Sequence, residues 1–183
     1  MKKLIVATGI LVAAIITALI GFRVHTKSFS PYDKVTYSQD ASITVQYSRP
    51  YKRGREVFGQ LVPYNQLWRT GANEATHFYT DKDLLIKDKL LKAGTYTLFT
   101  IPKEESWTII FNKETGQWGI DPFTMEVNRD INNDALTIEA TSIKTTDMFE
   151  QFTIGLEQMG NEIEMVMMWD HTVVVIPMIP VAN

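Results

Sequence analysis

Trp68-Arg69-Thr70-Gly71-Ala72-Asn73-Glu74-Ala75-Thr76 sets a cation, an anion and a side-chain amide within nine residues. Arginine and glutamate are rarely buried in full unless paired, yet Leu67, Trp68, Ala72, Ala75 and Phe78 draw the surrounding backbone toward a core. A pairing of Arg69 with Glu74 is therefore expected. Gly71 opens backbone angles closed to other residues, and Asn73 tolerates a left-handed conformation. The stretch reads as a shaped turn carrying polar side chains inward. It suits a structural polar knot that satisfies loose backbone groups, or the wall of a ligand pocket.

The other chemistries a chain of this kind could carry lack their residues. No Gly-x-Ser-x-Gly elbow, phosphate loop or Gly-x-Gly-x-x-Gly occurs. With no cysteine, thiol nucleophiles, thiolate zinc sites and disulfides are excluded. The three histidines, His25, His77 and His171, form no His-Glu-x-x-His pair, so no metal ligand, cofactor or catalytic residue is assigned. Glycoside hydrolysis works with two carboxylates about 5 to 10 Å apart. Glu74 could be one of them, but a neighbouring Arg69 would hold it ionised and make it a poor general acid. No second carboxylate stands out.

Charge and hydropathy then say where such a turn would sit. Lys2 and Lys3 precede Leu4 to Phe22, an uncharged run of nineteen residues closed by Arg23. As a helix it would span about 28 Å, close to the ~30 Å hydrocarbon core of a bilayer. It is longer than a cleaved signal's apolar region and lacks an Ala-x-Ala site. An uncleaved signal anchor over 1–22 is expected, with a secreted form after signal cleavage as the alternative. The lysines place the N-terminus in the cytoplasm. The body would then lie outside the cytoplasmic membrane, periplasmic or extracellular, with the membrane as its partner. Apart from Lys2 and Lys3, sixteen basic residues face all twenty-one acidic ones. That balance supplies no footprint for nucleic acid.

Residues 23–32 read as a tether, and 33–180 as one domain of ordinary size. Ile43, Val45 and Tyr47 alternate with polar neighbours, as do Trp107, Ile109 and Phe111, then Leu136, Ile138 and Ala140. Such period-2 runs are strands with one face in a core. Phe152 to Leu156 and Ile163 to Trp169, around a turn at Met159-Gly160-Asn161, predict a long hairpin. The methionines at 165, 167 and 168 are expected to fill core gaps. Pro63 suits the first turn of a short helix to about Trp68. The basic loop from Ser48 to Gly59, with Arg53 and Arg55, reads as a solvated connection or an anion site. Trp118, between Gly116 and Gly119, suits a core lid or a sugar or peptide contact. About ten short strands predict an all-β fold, an antiparallel β-sandwich of jelly-roll type behind one N-terminal transmembrane helix.

Six blocks occur in order: Tyr47-Ser48-Arg49-Pro50, Gly54-Arg55-x-Val57-Phe58-Gly59, Leu61-Val62-Pro63-Tyr64, the nine-residue stretch, Lys92-Ala93-Gly94-Thr95-Tyr96, and Phe111-Asn112-Lys113 through Gly116-Gln117-Trp118-Gly119. Over essentially residues 30 to 180 the chain resembles a bacterial family of exported domains known only as a domain of unknown function. The resemblance implies that the nine-residue block is a family hallmark. It points to Arg55, Trp68, Arg69, Asn73, Glu74, Thr76 and Trp118 as candidate ligand-binding residues. Members of that family often carry a cleavable signal, and the long apolar segment here departs from that. With no paired nucleophile and base, these residues are expected to serve a non-catalytic binding or interaction module for a small polar ligand, glycan or peptide. The alternatives are a cell-envelope carbohydrate hydrolase using Glu74 and a structural envelope protein.

Overall fold

The computed structural model describes residues 2–117, 119–121, 124 and 126–181, and of the side chains of its helix those at 8–21, 25 and 27–29. Helix α1, Lys2–Phe29, holds no proline. Ile10, Leu11, Val12, Ile15, Ile16, Leu19 and Ile20 all lie exposed on it. Successive residues are about 100° apart, so this helix is apolar on every side. Among the described residues no helix is long and apolar enough to cross a membrane.

Nine strands follow: β1 Tyr32–Ser38, β2 Ser42–Ser48, β3 Thr76–Thr80, β4 Leu84–Ile86, β5 Lys89–Leu91, β6 Gly94–Pro102, β7 Ser106–Asn112, β8 Asp134–Met159 and β9 Glu162–Pro180. They form one sheet in the order β1-β2-β3-β6-β7-β8-β9-β4-β5. Every pairing is antiparallel. The β4–β5 turn is Lys87-Asp88, whose φ of 46° and 62° are the two left-handed residues of a type I′ hairpin. The alternation read for β2 and both arms of the long hairpin is the burial alternation observed, whereas β7, expected to bury one face, is buried on both from Trp107 to Asn112.

Three expectations change. Leu136 to Ala140 and Phe152 to Leu156 belong to one strand, β8, of 26 residues. Its first part pairs with β7 through Thr141. Its remainder pairs with β9 from Ser142 onward, with register shifts on either side of Phe149. Burial alternation runs past the change of partner to Ile143 and lapses at the register shifts between Lys144 and Thr153, where bulges let one strand bend. Second, the helix expected from Pro63 to Trp68 does not form. Asn65 takes a left-handed φ of 61°, and the Trp68 amide donates to the Thr100 carbonyl at 2.7 Å instead of to a carbonyl of its own segment. Third, Met165 and Met167 are buried in the core, but Met168 lies on the opposite, half-buried face.

The core joins Ile43, Val45 and Tyr47 of β2 to Phe152 and Ile154 of β8 and Met167 of β9. At one end it is aromatic. Trp68 and Trp169 stack at 6.0 Å, and Phe58 packs edge-on to Trp107 at 4.9 Å. That aromatic end is the floor beneath the nine-residue stretch.

Candidate functional site

Three long-range anchors wind the nine-residue stretch into its shape. Trp68 exchanges backbone hydrogen bonds with Thr100 of β6, and its indole Nε1 donates to the Gly71 carbonyl at 2.9 Å. Thr70 takes a φ of 54° and bonds the Thr100 hydroxyl at 3.1 Å. Thr76 Oγ1 donates to the Thr70 carbonyl at 2.6 Å, closing the turn on itself. Gly71 has a φ of 155°, and a Cβ there would stand 2.9 Å from the Ser48 carbonyl oxygen. Only glycine lets the loop lie this close to β2. Asn73 is left-handed, with a φ of 57°, as its type suggested.

On one side of this turn lies a cavity of about 430 Å³. Arg53, Arg55 and Arg69 reach it, and Trp68, Trp169 and Phe29 supply part of its apolar wall. No carboxylate is among the described residues that line it. The loop carrying two of these arginines is pinned to β8. The Lys52 amide donates to the Glu150 carbonyl, the Arg53 amide to the Glu150 carboxylate, and the Lys52 ammonium pairs with Asp170. Arg55 is held by its own loop, donating from Nε to the Lys52 carbonyl at 2.9 Å and from Nη2 to the Tyr51 carbonyl at 2.7 Å. The Arg53 guanidinium lies 4.2 Å over the Phe29 ring.

Arg69 is half-buried, and its Nη1 is shielded from solvent with no hydrogen-bond partner among the described residues. Burial pulls its pKa below the usual arginine value, and the nearby Glu74 charge offsets this in part. Lys27, which the sequence marked only as a charge beyond the apolar span, also engages Glu74, with Nζ 3.4 Å from Oε1.

The expected site residues therefore divide. Arg55, Trp68 and Arg69 share the larger cavity. Glu74 lines a separate one of about 200 Å³ with Lys27, Tyr32, Tyr47 and His77. Asn73 donates to the Ser30 carbonyl at 3.2 Å and so holds the short link between α1 and β1. Thr76 is wholly buried and belongs to the turn. Trp118 lies outside the described residues. Arg53, Phe29 and Trp169 join the cavity without having been singled out. The Arg53-Gly54-Arg55 run was the available signal for the first of them.

In its cavity Glu74 is the one carboxylate among the described residues. No group of three His, Cys, Asp or Glu able to hold a metal ion gathers among the described residues. His77 sits on the outer face of β3 beside Tyr79 and Thr95, where burial lowers its pKa. His171 meets the Asp147 carbonyl at 3.0 Å, far along the hairpin.

No curated protein and no solved structure matches the chain. One family model does, over residues 30–178, which takes in the whole sheet but for the last strand's end and every described residue lining the arginine cavity except Phe29. On that match the chain belongs to the family described as protein of unknown function (DUF2911).

Proposed function

We propose that this chain is a membrane-anchored binding module, its β body held outside the cytoplasmic membrane, that takes a small polar ligand, a glycan or a peptide into the Arg69 cavity. The observation that carries the reading is the cavity's construction. Pro50, Arg53 and Arg55 of one loop, the stretch 68–72, and Ile120 and Val127 converge on it from distant parts of the sequence. Its volume falls within the range of small-molecule sites, and its wall combines apolar and aromatic surface with a few placed polar groups. Glu74, in another cavity beside Lys27 and without a second carboxylate among the described residues there, favours binding over glycoside hydrolysis.

Anchoring rests on the uncharged run Leu4 to Phe22 and the lysines before it. A bacterial envelope setting and the role of Trp68 to Thr76 as a family hallmark follow from the resemblance of the six blocks. We read the body as a two-layer sandwich, because β8 leaves β7 after Thr141 and continues beside β9, while residues of both parts enter one core.

Two measurements test this. Protease added outside intact spheroplasts should digest the body, and protection there would overturn the anchored topology. The full chain in neutral-lipid nanodiscs, screened by thermal shift against sugars, peptides and organic acids, should be stabilised by at least one class. A ligand at 100 times its Kd contributes about 2.7 kcal/mol. No shift with any class at millimolar concentration would sink the binding reading.

A further inference from the structure

We infer that the occupant of the Arg69 cavity is a small organic anion, its carboxylate or phosphate head on Arg69 and its apolar body against Trp68 and Trp169. This rests on the binding reading above and names the ligand's chemistry.

The charge census of the wall is the first ground. Three guanidiniums line the cavity with no carboxylate among the described lining residues. Like charges drawn to one concave, partly apolar surface raise the local potential and concentrate anions there. Glu74 moderates the field at Arg69 but lies in the neighbouring cavity, beside Lys27.

The second ground is the unmet donor. Arg69 Nη1 is shielded from solvent and has no partner among the described residues. A buried donor left unpaired costs about 1–3 kcal/mol, and more on a charged group. Turning the guanidinium toward the cavity that Arg69 lines would bring that nitrogen to a ligand oxygen and relieve the cost. Guanidinium presents its N–H groups in a planar fork that matches the two oxygens of a carboxylate or phosphate.

Preorganisation is the third. Arg55 spends Nε and Nη2 on the Lys52 and Tyr51 carbonyls. Arg53 is held over Phe29. Both are fixed at the rim before a ligand arrives, which cuts the ordering cost of binding. Among the described residues neither rim arginine forms an ion pair with a carboxylate side chain. The stacked Trp68 and Trp169 offer apolar surface, so an inorganic ion would leave part of the cavity unused.

The experiment is calorimetric titration of the full chain in phosphatidylcholine nanodiscs with hexyl phosphate, hexanoate, inorganic phosphate and hexanol. Hexyl phosphate or hexanoate should bind at least 10-fold tighter than hexanol, and inorganic phosphate more weakly than hexyl phosphate. Arg69→Gln should weaken the anion at least 10-fold. Arg53→Gln, an exposed change that leaves the core untouched, should weaken it about 3-fold and keeps the test open if the first variant does not fold. Hexanol binding as tightly as the anions, or unaltered anion affinity in both variants, would overturn the proposal. Binding of a neutral sugar or peptide with no anion binding would overturn it too while leaving the module a binder. Silence from every probe and every class in the thermal screen removes both readings. Repeating the titration with phosphatidylglycerol in the nanodiscs separates the sources. Heat lost there assigns the head to a lipid and heat retained to a soluble acid, and either result supports an anion site.

Discussion

Lys27 Nζ lies 3.4 Å from Glu74 Oε1, so the last turn of α1 is tied to the loop that leads into β3. The Asn73 amide, bonded to the Ser30 carbonyl at 3.2 Å, makes the same connection one residue away. The nine-residue stretch thus braces the end of α1 on one side and faces the arginine cavity on the other. Both ends of the ion pair are part-exposed, with side chains 45% and 29% accessible, and such pairs contribute about 0–1 kcal/mol. Glu74→Gln should therefore lower unfolding free energy by less than about 1 kcal/mol while speeding tryptic cleavage at Lys27. A loss several times larger, measured by urea titration, would mean that Glu74 holds the core together.

Gly71→Ala should be severe. The new Cβ would stand 2.9 Å from the Ser48 backbone oxygen at a φ of 155°. Backbone has no flexible end to swing away, so the turn must shift. Strain of this kind costs on the order of 1–3 kcal/mol. A lowered urea midpoint with an unchanged slope is the expected result, and an unchanged midpoint would show that the turn is softer than its hydrogen bonds imply.

His77 gives a pH test. Burial lowers its pKa, so the folded chain prefers the neutral ring. Between the folded pKa and the unfolded value near ~6.5, the unfolded state binds more protons. This contribution is present above the unfolded value and is lost as pH falls through the folded one. Thermal melts from pH 7.5 to 5 should decline more steeply for the native chain than for His77→Gln. Parallel profiles would remove His77 as the cause.

Asp88→Gly should stabilise. Asp88 holds a φ of 62° in the two-residue turn between β4 and β5, and Gly at this place in a type I′ turn carries no steric penalty. A gain of about 0.5–1 kcal/mol in chemical denaturation is expected. Destabilisation would show that the Asp88 side chain has a role there beyond its backbone conformation.

Much of the fold was legible locally. Ile43, Val45 and Tyr47 enter the core because strand side chains alternate with period two, whatever the strand's neighbours are. Gly160 closes the long hairpin with a φ of 64°, as a glycine in a turn can. Less legible was the continuity of β8. Its alternation lapses between Lys144 and Thr153, just beyond the exchange of β7 for β9, and a lapse in pattern looks the same as a loop. The Pro63 segment misled for a related reason. Proline is compatible with a helix start, but the Trp68 amide found a better partner in Thr100, a long-range bond that no local pattern announces.

The sequence by itself determined the strands, the turn residues, the apolar helix and the presence of a polar turn at Trp68 to Thr76. Each depends on the conformations and side-chain directions of neighbouring residues, which are written in order along the chain. Tertiary structure alone decided that Arg69 stands with Arg53 and Arg55, and that Glu74 lines another cavity with Lys27 and His77. Those placements follow from where the loops are pinned, to Ser48, Thr100 and Glu150. Such bonds join residues far apart in sequence, and the direction a loop side chain faces is set by the sheet on which the loop lies.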